Sequence, residues 1–453
     1  MVPGSIGTGG DFTCGLRRIG RWDLRSPHLP GSLLSRMDAS DDRRWMERAV
    51  ALGRRGWGRV HPNPMVGCVL VRDGVLVGEG WHREWGGPHA EVEALAAAGT
   101  ASEGAVAFVS LEPCRHRGKT PPCTRALLGA GVRRVVFGAL DPGIRSGGGA
   151  EELRAAGVEV VGPMLSPAEA RRENPAFFHD LPDRPWTLLK LALSLDGRIS
   201  PARGERAQLT GPEAMEAVHH LRAGVDGILV GTGTAAVDDP LLTVRGALVP
   251  RVPPIRIILD LKGRLGPGLR LLQGGGPPVW ILTGPSSPSE WRGRMERAGA
   301  RILEVDGSGV EGDPSPRDLL RRLRGEGIGA LLCEGGGRWG SALVGAGAVD
   351  RLVHILAPRF LGPQGVPGYP MGMEETGPPG SGEPPLPPGG EGTGASVPAD
   401  LWVAGPVRRL GGDLWMEWDR RWDGTRDSSG EGTGDGTLPP GAGRFPHRVL
   451  EEE

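Results

Sequence analysis

Two successive series of alternating strand-like and helix-like segments limit the fold of this chain more than any other feature. The first, over residues 62–162, places the apolar runs MVGCVLV, DGVLVGEGWH, AVAFVSL and RRVVFGAL around helical stretches at 88–98 and from Cys123 onward. The second opens at Trp186 with TLLKLALSLDG and continues through GILVGT, PIRIILD, VWILTG, ALLCEGG and LVHILAP. Such alternation predicts layered α/β structure. Each series needs its own sheet, so two α/β domains are expected, over 37–183 and 184–423. A length of 453 residues suits two domains, each large enough to bury a core.

The remaining segments read differently. Gly (78) and Pro (43) make up about 27% of the chain, a level at which unstructured tracts are expected. Residues 1–36 lack a sustained apolar period, and a helix-like run starts only after Met37, through Trp45, Met46, Ala49, Val50 and Leu52. The leader is therefore expected to be a disordered or mis-assigned extension, with Met37 a candidate start; its Arg-rich composition also fits a transit peptide, without the amphipathic pattern of one. Between 362 and 396, 20 of 35 residues are Gly or Pro, which predicts a disordered insertion before the closing strands of LWVAGPVRRLGGDLWMEW. Residues 424–453 are expected to be a disordered tail.

A formal charge of -1 supplies no broad attraction for a polyanion, which favours a small-molecule substrate over nucleic acid. Five cysteines, odd in number and scattered, make a poor disulfide framework and point to a reducing cytoplasm. No run approaches the roughly 18 apolar residues of a membrane span. A homo-oligomer stays open.

The chemistry is carried first by Pro88-His89-Ala90-Glu91, then Glu112-Pro113-Cys114 and Pro121-Pro122-Cys123. One imidazole and two thiolates are three zinc ligands that leave a fourth tetrahedral position for water, as a catalytic site requires. A structural site usually has four protein ligands, and no fourth cysteine or ligand-spaced histidine lies close by. Cys123 opens a helix, which should depress its thiol pKa. Zinc can lower the pKa of bound water from 15.7 to about 7, roughly 12 kcal/mol toward hydroxide. Glu91, two residues from a ligand, is then placed to take the water proton and deliver it to a leaving amine. Cys68 reads as core, and Cys14 and Cys333 as non-ligands.

These motifs resemble a family. PNPMVGCVLV, GEGWH, GPHAEVEAL and SLEPCRHRGKTPPC are similar to the deaminase half of the bifunctional riboflavin-biosynthesis deaminase/reductases, whose cysteines stand farther apart than the P-C-x-x-C of nucleic-acid deaminases. The resemblance implies a cytidine-deaminase-like three-layer α/β domain with one Zn2+, and a substrate pocket lined by Asn63, His82, His116 and Lys119, the last as a phosphate anchor. It departs from the pattern at Arg115 and Arg117 and in a shortened loop over 141–149.

LKLALSLDGRIS, LVGTGTAAVDDPLLTVR and LLCEGGGRWGSALVGAG resemble the same family's reductase, a dihydrofolate-reductase-like α/β domain using NADPH. Gly335, Gly337 and Gly340 also match a dinucleotide fingerprint, although no suitably placed acidic strand end follows, so a true Rossmann unit is not expected. By resemblance, Ala192, Thr234, Asp238, Gly336, Gly337, Arg338, Trp339, Gly340, Ser341 and Ala342 contact the cofactor. Arg222, Leu242, Arg245 and Glu334 contact the phosphorylated sugar of the substrate, two arginines being suited to phosphate. Arg206 and Gln208 stand where the family commonly has Ser and a cofactor-holding Trp. The implied reactions are hydrolytic deamination of 2,5-diamino-6-ribosylamino-4(3H)-pyrimidinone 5′-phosphate and NADPH reduction of its ribosyl chain to ribityl.

Overall fold

The computed structural model describes residues 39–118, 120–179, 181–307, 314–369 and 399–421. The leader, the tail, Lys119 and residues 370–396 of the insertion lie outside the described residues.

The first unit contains α1 (Ala39–Gly53), β1 (Gly67–Arg72), β2 (Val75–Trp81), α2 (Ala90–Ala98), β3 (Val106–Leu111), α3 (Cys123–Gly129), β4 (Arg134–Ala139), α4 (Gly149–Ala155), β5 (Glu159–Val161) and α5 (Pro167–Glu173). Its sheet runs β2-β1-β3-β4-β5, antiparallel at β1 and parallel from β3 to β5. Alternation along the strands explains the three layers. Cys68 and Leu70 of β1 pack with Ala90, Ala94, Leu127 and Leu153 of α2, α3 and α4. Val69 and Val71 pack on the other face with Trp45, Met46, Ala49 and Leu52 of α1.

The second unit contains β6 (Trp186–Ser194), β7 (Arg198–Ser200), α6 (Pro212–Ala223), β8 (Gly227–Gly231), α7 (Thr232–Asp238), β9 (Ile255–Leu259), β10 (Val279–Thr283), α8 (Ser289–Arg297), β11 (Ala300–Glu304), α9 (Pro316–Gly325), β12 (Ala330–Cys333), α10 (Gly337–Gly345), β13 (Arg351–Ala357), β14 (Val366–Pro367), β15 (Trp402–Leu410) and β16 (Asp413–Arg420). Its large sheet runs β11-β10-β9-β8-β12-β6-β13-β16-β15. The strands are parallel from β11 through β13, and β16 and β15 close the sheet antiparallel. Leu188 faces α6 and α8 through Ala214, Val218, Trp291 and Met295, whereas Leu189 faces α9 and α10 through Leu319, Leu323, Leu343 and Val344. The chain leaves β8 toward β9 on one side, and β12 takes the other, so the switch in strand order lies between β8 and β12. Parallel sheets bind ligands outside the carboxyl ends of the strands at such a point.

Three expectations need correction. Helix α2 begins at Ala90, not at 88, because His89 adopts an extended backbone (φ -73°, ψ 162°) as its N-cap. Strands β5 and β11 were not expected: each is short and lies at a sheet edge, where one neighbour suffices and the apolar run need not be long. The Gly/Pro tract expected to be disordered from 362 begins as structure. Val366 pairs with Ser200, and the Gly368 N–H donates to the Gly197 carbonyl.

The two units meet chiefly through residues 57–61. The Trp57 indole donates to the His220 carbonyl at 2.7 Å. The ring so fills the space beside Gly224 that a Cβ there would lie 2.0 Å from it. His61 Nε2 lies 2.9 Å from Asp226 Oδ1. Farther along, Arg351 donates to the Arg172 carbonyl, and Arg172 lies 3.4 Å from Asp419.

Candidate active sites

The first site is built where β3 and α2 converge. Gly78 and Gly80 of β2 have no side chains because α2 lies against them: a Cβ would meet the Ala94 carbonyl at 2.4 Å or the Ala94 nitrogen at 2.5 Å. This close approach sets His89 at the helix mouth and Glu91 in its first turn. From the end of β3 the chain delivers Cys114, and α3 opens at Cys123. His89 Nδ1 stands 3.2 Å from Cys123 Sγ and 3.5 Å from Cys114 Sγ, and the three donor atoms lie within 4.8 Å of one another. Tetrahedral zinc with Zn–N of about 2.0 Å and Zn–S of about 2.3 Å sets N···S edges near 3.5 Å. The triad therefore fits one zinc ion with a position left open.

Glu91 is 3% exposed, and burial pushes its carboxyl above the ordinary range against the pull of His89. The two thiols share charge unequally. Hydrogen bonding from Cys123 draws the Cys114 thiol down to about 4. The same bond to Cys114 raises the Cys123 thiol, with burial adding to it. For Cys123 the neighbouring sulfur and burial act against the dipole of the seven-residue helix that it opens.

The donor set opens on a cavity of about 310 Å³. Asn63, His82 and His116 line it; so do Asp141 and Ser146 of the shortened loop, and Trp85 and Phe177, which sequence reasoning did not single out. The Pro88 carbonyl accepts from His82 Nδ1 at 2.9 Å, so Nε2 accepts from the Asn63 amide at 3.2 Å. Burial also lowers the His82 pKa, keeping this tautomer neutral. His116 Nδ1 is buried without a hydrogen-bond partner. Glu112, beside the ligand Cys114, was also passed over. Its buried carboxylate accepts from the backbone N–H groups of Asp141, Gly148 and Ala150 and ties the shortened loop to the metal strand. The sequence signal was present in Glu-Pro-Cys, but its partners lie about 30 residues away.

The second site lies at the carboxyl ends of β6, β8 and β12. Gly336 caps α10 with no side-chain hydrogen bond, and Thr234 Oγ1 stands 3.6 Å from where a Gly336 Cβ would be. The turns after β8 and β12 are therefore neighbours. A Cβ on Gly337 would meet the Pro367 and Gly368 carbonyls at 2.6 and 2.7 Å, and one on Gly231 would meet Trp339 at 3.1 Å. Ser341 Oγ is buried without a partner. Helix N–H groups at the start of α10 and an unpaired hydroxyl suit a cofactor phosphate, whereas Gly337 and Gly231 make room for the protein's own atoms. Gly340 packs on Leu189, and Ala342 follows on the same helix; Ala192 lies on β6. Arg338 stands in the first turn of α10.

The expected substrate residues are partly engaged with one another. Arg222 donates to both Glu334 oxygens, at 2.6 and 2.8 Å, and to the Thr243 carbonyl. Lys190 faces this pair, and burial lowers its pKa despite Glu334. Leu242 is 2% exposed, at φ 49°, and its side chain packs within the core. Arg245 is exposed. Asp238 lies 3.7 Å from Arg206, and the Gln208 amide bonds locally to the Thr210 carbonyl. Cys68 and Cys333 are buried core residues, and all four described cysteines are free.

Residues 39–139 match the family model of the cytidine and deoxycytidylate deaminase zinc-binding region, and residues 185–375 match that of the RibD C-terminal domain. The riboflavin biosynthesis protein RibD of Escherichia coli is 40% identical over 341 residues, covering 71% of this chain and 89% of the relative. That of Aquifex aeolicus is 38% identical over 325 residues, covering 71% and 88%. The chain belongs to the RibD family. It is a bifunctional deaminase and reductase of riboflavin biosynthesis, with a zinc-dependent cytidine-deaminase-like domain and an NADPH-dependent, dihydrofolate-reductase-like domain. The RibD structure of Acinetobacter baumannii superposes with a TM-score of 0.66 at 31% identity, covering 85% of this chain and all of that one. A diaminohydroxyphosphoribosylaminopyrimidine deaminase/5-amino-6-(5-phosphoribosylamino)uracil reductase from Thermotoga maritima gives 0.64 at 29% identity, covering 84% and 99%. Among the described residues, no helix is long and apolar enough to cross a membrane.

Proposed function

We propose that His89, Cys114 and Cys123 hold the zinc, and that Glu91 moves the protons of deamination. The observation that carries this reading is a carboxyl buried beside a three-donor set with one position open to a cavity. When bound, zinc supplies the Lewis acidity that makes water a nucleophile near neutral pH. Glu91 accepts the proton of the attacking water and delivers it to the departing amine, a transfer favoured by its raised pKa. Asn63 and His82, locked in one tautomer, present fixed donors and acceptors to the pyrimidine, and His116 Nδ1 offers an unpaired group. By resemblance, Lys119 would anchor the substrate phosphate.

The substrate would be 2,5-diamino-6-ribosylamino-4(3H)-pyrimidinone 5′-phosphate. In the second domain, NADPH would supply hydride when bound, and Ala192, Thr234, Asp238 and the 336–342 segment would hold it. Arg222, Arg245 and Glu334 orient the ribosyl phosphate. The two separate sheets support unit divisions at 37–183 and 184–423. Small-molecule specificity, with no nucleic-acid or membrane partner, agrees with the charge of -1, and free thiols agree with a reducing cytoplasm.

Glu91→Gln tests this directly, since the amide keeps the volume and cannot carry the proton. Ammonia release should fall by ~100- to 10,000-fold, with zinc retained and NADPH oxidation on already deaminated substrate unchanged. Undiminished ammonia release would remove Glu91 from the mechanism; lost zinc would make it a ligand.

A further inference from the structure

We infer that Arg251, which belongs to the reductase domain, is a positioning residue of the deaminase site. It ends the loop that follows Leu242 and leads into β9. Its backbone N–H donates to the Gly58 carbonyl at 2.9 Å. Its guanidinium Nε and Nη2 donate to the His61 carbonyl at 3.2 and 3.0 Å, and the guanidinium carbon lies 4.8 Å from the centroid of the Trp85 ring. One side chain from the second domain thus grips two separate segments of the first.

Both segments form the wall of the deaminase cavity. Asn63 and Pro64 follow His61 after Pro62, and Trp85, Gly86 and Gly87 follow shortly after His82; all five line the cavity. Within the deaminase domain, the segments are joined by the Trp85 N–H to the Arg59 carbonyl and by the Asn63–His82 bond. Trp85 is 40% exposed, and the Arg251 guanidinium lies over its ring while donating two N–H groups to the His61 carbonyl. A planar guanidinium so placed adds a restraint from the second domain.

The attachment is anchored beyond the guanidinium. Trp57 and His61 dock on His220, Gly224 and Asp226, at the end of the helix that carries Arg222. The deaminase cavity therefore has its final shape only when the reductase domain is docked, and Arg251 acts through Asn63 and Trp85 on how tightly the pyrimidine is held. This rests on the cavity being the deaminase substrate site.

The test uses the full-length zinc enzyme carrying R251A or R251K, with E91Q as a separate arm. In R251A the KM for ammonia release should rise about tenfold, as loss of a charged hydrogen bond and a cation–π contact predicts. Its kcat, zinc content and reduction of already deaminated substrate should stay within about twofold, because an interaction made equally in ground and transition states moves KM alone. R251K keeps the charge over Trp85 without the two-pronged bond and should recover part of the KM. An unchanged KM in R251A would overturn the inference. So would a fall in kcat and zinc together with no recovery in R251K, which would make Arg251 a scaffold residue. If E91Q releases ammonia undiminished, the site reading itself fails, independently of Arg251.

Discussion

Arg222 and Glu334 show how a buried charge pair sets local behaviour. Burial opposes ionisation of Glu334, yet Arg222 outweighs it and holds the carboxyl below its usual range. A carboxyl depressed in the folded state contributes stability that is present above its unfolded value of about 4.3 and is lost as pH falls through the folded value. Removing one partner of such a pair costs about 3–5 kcal/mol, because the other charge is left buried. Arg222→Ala should therefore lower the urea midpoint strongly at pH 7, and less at pH 5, where Glu334, left with Lys190 as its buried cation, takes up a proton more readily. Equal losses at both pH values would locate the damage in packing, not charge. The type of each residue was legible in the sequence. Their pairing was not, since 112 positions separate them.

At the level of the element, short helices are placed by glycines that admit backbone. A Cβ on Gly149, the first residue of α4, would lie 1.8 Å from the Pro113 carbonyl, and Pro113 immediately precedes the ligand Cys114. Because the obstacle is backbone and not a flexible side-chain tip, either α4 or the metal strand must move. Gly149→Ala should cost about 1–3 kcal/mol or more and reduce zinc content measured by atomic absorption. Full zinc with an unchanged melting temperature would show that α4 can shift without disturbing Cys114. The Gly-Gly-Gly run was visible in the sequence as a turn; which glycine touches the metal strand depends on how α4 lies across β3 and β4.

At the level of the whole molecule, the two units are joined by a contact of mixed apolar and polar character, as is common between domains within a chain. Trp57 supplies its apolar part and the His61–Asp226 pair its polar part. Trp57→Ala should remove about 2 kcal/mol of docking and separate a single calorimetric unfolding transition into two, with zinc retained. One unsplit transition at the parental temperature would mean that the units are held together elsewhere, for example by Arg172 against Asp419.

Residue type and local period carried much of this protein in the sequence. Alternating apolar residues dictated strands buried on both faces, because side chains of a strand point to opposite sides whatever the fold around them. His89, Cys114, Cys123 and Glu91 could be picked out as a candidate site because ligand and proton chemistry belong to the side chain itself, and each stands at a strand end or helix start that local pattern reveals. The tertiary structure alone decided which distant groups meet: Glu112 against the shortened loop, Phe177 in the deaminase cavity, Arg222 on Glu334, and Arg251 across the domain boundary. Those contacts depend on how whole sheets and helices pack. Packing energy is summed over many weak contacts and leaves no periodic mark on any one segment.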